Sequence, residues 1–331
     1  MDKELLRRLR LIYRNVKSGD TVASVLEKFD INETELRGLI DLWNIEGKYL
    51  SIELNEDVPV VIKNRIYQKT NKIKEDMANL VHTKICVVSD THLCSIWDQL
   101  TLTNFIYDEC ERRGITDVLH CGDLTDGDYR NRPDDIYNIH QIGYARQRDY
   151  VIKNYPIREG ITTYWITGSH DLTHVKNGGG TTADHVSIIG HDIGEARSDM
   201  VFLGDNNGYF EKNNVRISME HPGGGSGTYL STKPQKSVKS LITGKKPNIL
   251  LLGHFHKNFY MYLRNVHVYS VPALVGLSDF MDVNNLENVV GVLFLDIYSD
   301  KKGIIQYIIP EDYIFTDEEI IEDDYKRYRA V

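Results

Sequence analysis

Two different periods of apolar residues divide this chain. Near the N-terminus the period is helical, with Leu5, Leu9, Ile12 and Val16, then Val22, Val25, Leu26 and Phe29, then Leu36, Leu39, Ile40 and Trp43. Asn32, with Glu35 three positions on, opens the third stretch like a capping box, and Gly47 closes it. Residues 49–54 and 58–64 alternate around 55–57 and predict a short hairpin. Residues 64–83 are polar and predict a helical connector. From Lys84 onward, short apolar runs of buried-strand type recur: "ICVV", "DVLH", "TYWI", "VRISM" and "NILLL". Helical patterns lie between several of them, at 99–113, 137–154, 183–197 and 232–242. The sequence shows no internal repeat.

The residues just after each run carry the chemistry. "ICVV" leads to Asp90 and His92, and "DVLH" leads to Gly122 and Asp123. "TYWI" leads to Gly168, Ser169, His170 and Asp171. "VRISM" leads to His221, and "NILLL" to Gly253, His254 and His256. Ligands of α/β sheets sit outside the carboxyl ends of the strands. Five ends delivering Asp or His therefore predict a cluster of metal-type ligands along one rim. Asp90 and His92 point to the same side if the chain stays extended, as do His254 and His256. Gly122, Gly168 and Gly253 allow turns tight enough to bring the backbone close to a bound ion.

D-x-H, G-D, G-x-H-D, a single His and G-H-x-H, in that order from Asp90 to His256, resemble the signature of the calcineurin-like metallophosphoesterases. The resemblance implies an α/β fold, a four-layer α/β/β/α sandwich of two mixed sheets flanked by helices. It also implies two divalent ions and hydrolysis of phosphate esters by two-metal activation of a bridging water. Position by position, it implies that Asp90, His92 and His256 bind the first ion, that Asp123 bridges, and that His221 and His254 hold the second. His170 is implied to act at the substrate, with Asp171 orienting its imidazole. Mixed nitrogen and oxygen ligands suit Mn²⁺ first, and Fe²⁺ or Zn²⁺ also. The family usually carries asparagine where this chain has Ser169, and that amide is a ligand of the second ion. Three outcomes stay open: water completes the second site, which is the favoured one, His174 replaces the amide, or the second ion binds weakly.

"GDLTDGDYR" and "GSHD" differ from the phosphoprotein phosphatases and look more like the phosphodiesterase branches, nucleases included. The expected substrate is therefore a phosphodiester, in a nucleic acid or a nucleotide. A phosphomonoesterase or protein phosphatase, and a DNA-binding regulator with a ligand-sensing phosphoesterase domain, are the alternatives. Gly223, Gly224 and Gly225 form a candidate substrate loop whose N–H groups would cradle an anion, assisted by Lys233 or Lys236. Tyr129 and Tyr144 read first as core residues, with stacking on a base as the alternative, and His120, His174, His185 and His191 as supporting or surface ones.

Composition narrows the rest. The chain has 331 residues, a net charge of −9 and four cysteines without C-x-x-C spacing, so buried reduced thiols are expected. No apolar run approaches the ~20 residues of a membrane span, and the charged N-terminus lacks a signal-peptide core. A cytoplasmic protein with no membrane partner is expected. The N-terminal pattern of helices and hairpin resembles a winged helix-turn-helix domain. Residues 20–57, however, carry ten acids against three bases, the wrong sign for phosphate contacts. This module is expected to bind protein or dimerise rather than bind DNA. The predicted organisation is a winged-helix-like domain at 1–63, a connector at 64–83, the metallophosphoesterase domain at 84–310 and an acidic tail at 311–331.

Overall fold

The computed structural model describes residues 11–45, 50–63, 79–129, 133–176, 180–181, 187–225, 229–241 and 246–316. The chain divides into two compact units, Met1–Asp76 and Met77–Val331.

In the first unit, residues 11–15 are helical and precede α1 (Val22–Phe29) and α2 (Glu33–Ile45). The capping box forms as expected: Glu35 N donates to Asn32 Oδ1 at 2.9 Å, and Asn32 N donates to Glu35 Oε2 at 2.8 Å. Two strands, β1 (Leu50–Asn55) and β2 (Val58–Lys63), pair antiparallel. Glu56 and Asp57 both take positive φ between them, the backbone a two-residue hairpin turn demands. Val16, Val25, Leu36, Trp43 and Val61 form this unit's own core. Most of the predicted first helix and of the connector lies outside the described residues.

The second unit is built on two sheets. The larger contains β3 (Val81–Val88), β4 (Asp117–His120), β5 (Thr162–Thr167), β6 (Met200–Asp205), β12 (Gly291–Ser299) and β13 (Ile305–Ile314), in the order β13-β12-β3-β4-β5-β6. The smaller contains β7 (Asn207–Lys212), β8 (Val215–Glu220), β9 (Ile249–Leu252), β10 (Phe259–Leu263) and β11 (Val266–Ser270), in the order β10-β11-β9-β8-β7. Both sheets mix parallel and antiparallel pairs. Ile85, Val87, Leu119 and Ile166 of the larger sheet meet Phe210, Ile217, Met219 and Leu251 of the smaller in one core.

Alternation along each strand sends the intervening residues the other way. Cys86, Val88, Val118 and Trp165 pack under α3 (Leu100–Arg113), α4 (Tyr144–Asn154) and α5 (Ile188–Ala196). On the smaller sheet, Leu250, Leu252 and Val268 pack with Val238 of α6 (Thr232–Ser240). Helices, sheet, sheet and helix thus form successive layers. All four cysteines are free and buried.

The expected boundaries shift in three places. β3 begins at Val81, inside the connector expected over 64–83, because Val81 pairs with Ser299 of β12. β13 runs to Ile314, and Phe315 is buried, so the sandwich extends into the stretch expected to be an acidic tail. The helix expected at 137–154 begins at Tyr144, after a 3₁₀ turn over Pro133–Asn138.

Candidate metal centre

β3, β4 and β5 run parallel, as do β8 and β9, so within each sheet their carboxyl ends leave on one edge. The shared core between the sheets brings the two edges together. Asp90, His92, Asp123, His254 and His256 all have positive φ, between 42° and 77°. Such backbone costs roughly 1–3 kcal/mol per residue and collects at functional sites. This corrects the extended geometry expected for Asp90–His92 and His254–His256. The chain turns at each of these residues, and it is the turns that aim the side chains at one point. Gly168 is needed for a different reason: a Cβ there would overlap the Asp123 side chain.

Three overlapping groups result: Asp90, His92 and His256; His92, Asp123 and His170; and Asp123, His221 and His254. Within each, one ligand-type atom per residue lies within 4.8 Å of the others. His256 Nε2 is 3.3 Å from Asp90 Oδ1, and His221 Nε2 is 2.9 Å from Asp123 Oδ2. His92 Nε2 lies 3.9 Å from both Asp90 Oδ1 and Asp123 Oδ2. Asp90 Oδ1 and His92 Nε2 are buried without a hydrogen-bond partner. Buried polar atoms are almost always satisfied, and a cation among these carboxylates and imidazoles would satisfy both. The donor set fits divalent metal ions.

The electrostatics agree. Burial opposes the charge on Asp123, yet His221 and His170 hold its carboxyl well below the ordinary range. Burial would lower His221, but the Asp123 and Asp90 carboxylates push it up to about 10. His170 goes the same way, up to about 9, through Asp123 and Asp126 against burial. Burial and the neighbouring His170 lower His92, and burial and His221 lower His254, which favours the neutral imidazole in both.

Each imidazole is also fixed from behind. His92 Nδ1 meets Asp126 Oδ1 at 3.0 Å, His221 Nδ1 meets the Cys121 carbonyl at 2.8 Å, and His256 Nδ1 meets Asn288 Oδ1 at 2.8 Å. His254 Nε2 meets the Gly224 carbonyl at 3.1 Å. Such partners set the tautomer and present the other nitrogen to a metal. Sequence reasoning misses Asp126 and Asn288. Asp126 also holds His170, whose Nδ1 lies 2.7 Å from its carbonyl oxygen and 3.5 Å from its carboxylate. Asp126→Ala is therefore expected to weaken divalent-ion binding ~10–100-fold. Calorimetric titration with Mn²⁺ measures it, and an unchanged affinity would show that His92 needs no such support.

That placement corrects the role expected of Asp171. Its carboxylate accepts from Leu124 N at 3.1 Å, Thr125 N at 2.8 Å, Thr125 Oγ1 at 2.7 Å and Gly168 N at 2.9 Å. Asp171 thereby ties the loop after β4 to the loop after β5, while Asp126 orients His170. Tyr129 is not the core residue its sequence suggests: its ring packs edge-on to His170, centroids 4.7 Å apart.

His174 belongs to none of the three groups. It is buried against Tyr144, with centroids 5.6 Å apart, so it does not replace the missing amide. Ser169 is beside the centre, its Oγ donating to Asp123 Oδ2 at 3.4 Å. In the glycine loop the Gly224 carbonyl meets His254 Nε2 at 3.1 Å, and the Gly223 carbonyl accepts from Lys233 Nζ at 3.4 Å.

The fold is similar to that of a structure described as a novel archaeal phosphodiesterase, at 14% identity over 70% of this chain and 100% of that one, with a TM-score of 0.40. It is also similar to Vps29 of Entamoeba histolytica complexed with Zn²⁺, at 13% identity over 71% and 100% of the two chains, TM-score 0.32. A putative 5′-nucleotidase of Staphylococcus aureus is similar at 11% identity over 75% and 57%, TM-score 0.41. No protein-family model matches the chain, and neither does any curated protein. Among the described residues no helix is long and apolar enough to cross a membrane.

Proposed function

We infer that the Met77–Val331 unit is a metal-dependent phosphoesterase of the calcineurin-like type, acting on a phosphodiester in a nucleotide or nucleic acid. The observation that carries this reading is the convergence of Asp90, His92, Asp123, His221, His254 and His256, with buried ligand atoms on Asp90 and His92 that have no hydrogen-bond partner. Asp90, His92 and His256 would hold one ion, His221 and His254 another, and Asp123 would serve both. Divalent ions held there would supply charge for the phosphoryl oxygens and acidify water. The chain's own part is to orient and to move a proton. His170 keeps Nδ1 on Asp126 and has Nε2 available to donate to a leaving oxygen. The direct test is hydrolysis of bis-p-nitrophenyl phosphate beside p-nitrophenyl phosphate with added Mn²⁺. A rate on the diester no higher than in chelator would sink the reading, and preference for the monoester would make the enzyme a monoesterase.

The same residues set how ion binding depends on pH. With its pKa pushed up to about 10, His221 carries a proton at pH 8, and a metal needs the neutral ring. Ion binding should therefore release about one proton and tighten about tenfold per pH unit below that value. Calorimetry in buffers of different ionisation enthalpy reads this, and proton-neutral binding at pH 8 would contradict it. Ser169 bears on the second ion, because its hydroxyl is spent on Asp123. Ser169→Asn adds a longer arm with an oxygen, and should tighten the weaker ion by at least the ~tenfold that even an outer partner is worth. Two equally tight ions in the unaltered protein would refute the weak second site.

The N-terminal unit, read as winged-helix-like, is assigned protein binding or self-association on the acidic excess of residues 20–57. Retention of the full chain on duplex DNA at moderate salt would overturn that assignment.

A further inference from the structure

A cavity of about 620 Å³ opens beside His221 and Ser169, within the ~300–1,000 Å³ range of small-molecule sites. Its floor is the outer face of β7 and β8. Gly208 and Phe210 of β7, and Ile217 and Met219 of β8, turn inward, so Asn207, Tyr209, Ser218 and Glu220 turn out together. Register makes this a two-row array. Asn207 stands opposite Glu220 in the row adjoining His221, and Tyr209 stands opposite Ser218 in the row beyond. Two residues along a strand separate the rows by about 7 Å. Tyr209 is 64% exposed, a large aromatic face left uncovered beside a candidate active site.

The chemistry of the lining restricts what fits. Beyond His221, and among the described residues, Lys176 is its one cation and Glu220 its one anion, so a second phosphate finds no surplus positive charge. Leu172, Pro222 and Leu241 are too few to bury an acyl chain. What remains is an uncharged group, polar near the metals and flat and aromatic one row further out.

The geometry points to a nucleoside subsite: a phosphate ester at the metal centre, its ribose hydroxyls over Asn207 and Glu220, and its base stacked on Tyr209. This rests on the phosphoesterase reading above and adds to it the residues that recognise the nucleoside. A hexose phosphate ends in the first row and leaves Tyr209 unused. A nucleotide places one sugar between phosphate and ring, which is the spacing the register sets.

The test is calorimetric titration of the Mn²⁺-loaded full chain with AMP, ribose 5-phosphate and glucose 6-phosphate. Base–aromatic stacking predicts AMP tighter than ribose 5-phosphate by about 5- to 150-fold. Tyr209→Ala should remove that ratio without changing Mn²⁺ affinity or ribose 5-phosphate affinity, and Tyr209→Phe should restore it. AMP binding no tighter than ribose 5-phosphate, or a ratio unchanged in Tyr209→Ala, overturns the subsite. Glucose 6-phosphate binding as tightly as AMP overturns it also. Hydrolysis of 3′,5′-cyclic AMP against a short oligoadenylate then tells a free nucleotide from a strand, and either one upholds the subsite. Failure of the underlying reading looks different: bis-p-nitrophenyl phosphate would be cleaved equally with and without Mn²⁺.

Discussion

Asp123→Asn is expected to lower kcat/KM for bis-p-nitrophenyl phosphate by about a thousandfold or more while the fold is kept. Asp123 is 1% exposed and is shared by two of the three ligand groups. Its Oδ1 accepts from His170 N at 2.7 Å, a bond that asparagine keeps, so the loop after β5 should hold its place. What is lost is the negative charge that would serve two cations. Metal-borne charge stabilisation is worth several kcal/mol in such sites, and each ~1.4 kcal/mol is tenfold in rate. The substitution also removes the carboxylate that does most to push His221 up to about 10. Its imidazole should then titrate nearer the ordinary range of ~6.5, which NMR reads without any turnover. Hydrolysis at the wild-type rate by a folded Asp123→Asn protein would remove this centre from the chemistry.

His170→Ala should cost ~10²–10⁴-fold in kcat on an unactivated diester, the usual worth of a positioned proton donor. His170 is only partly covered, its side chain 22% exposed, and its ring stands 4.2 Å from that of His92. Asp123 and Asp126 push its pKa up to about 9 against burial. A cation at the adjoining ligands would bring it back down by like-charge repulsion, toward the operating range of a general acid. A p-nitrophenyl leaving group needs little protonation, so the loss should be much smaller for that ester. Metal content should stay at the wild-type level. Equal losses on both esters would leave His170 only an electrostatic role, and loss of an ion would make it a ligand, consistent with its place beside His92 and Asp123.

Much of this site is legible in the order of residues alone. Apolar runs of four or five residues specify buried strands. Asp or His after each run identifies the rim, because short parallel strands in a two-sided sheet deliver their next residues to one edge. The capping box at Asn32–Glu35 is likewise a local rule with a local cause. Edge strands are a different matter. β13 carries Glu311 and Asp312, with Glu311 paired to Arg113 at 2.8 Å, and charge on an edge strand reads in the sequence like a solvated tail.

What only the tertiary structure decided is how each side chain is held. Nothing local separates Asp126 from Asp128, since both lie in one acidic loop, yet Asp126 meets His92 and His170. Asn288 is 32 residues from the histidine it fixes. Asp171 misleads for the opposite reason: it adjoins His170 in sequence, but the turn sends its carboxylate to Thr125 and Leu124. Which residues are candidate ligands depends on residue types and their order, so the sequence by itself determined that. Ligand orientation depends on hydrogen bonds between segments distant along the chain, and on positive φ at five of the residues themselves. Those conformations run against local steric preference and persist because the packed sheets around them leave no other path.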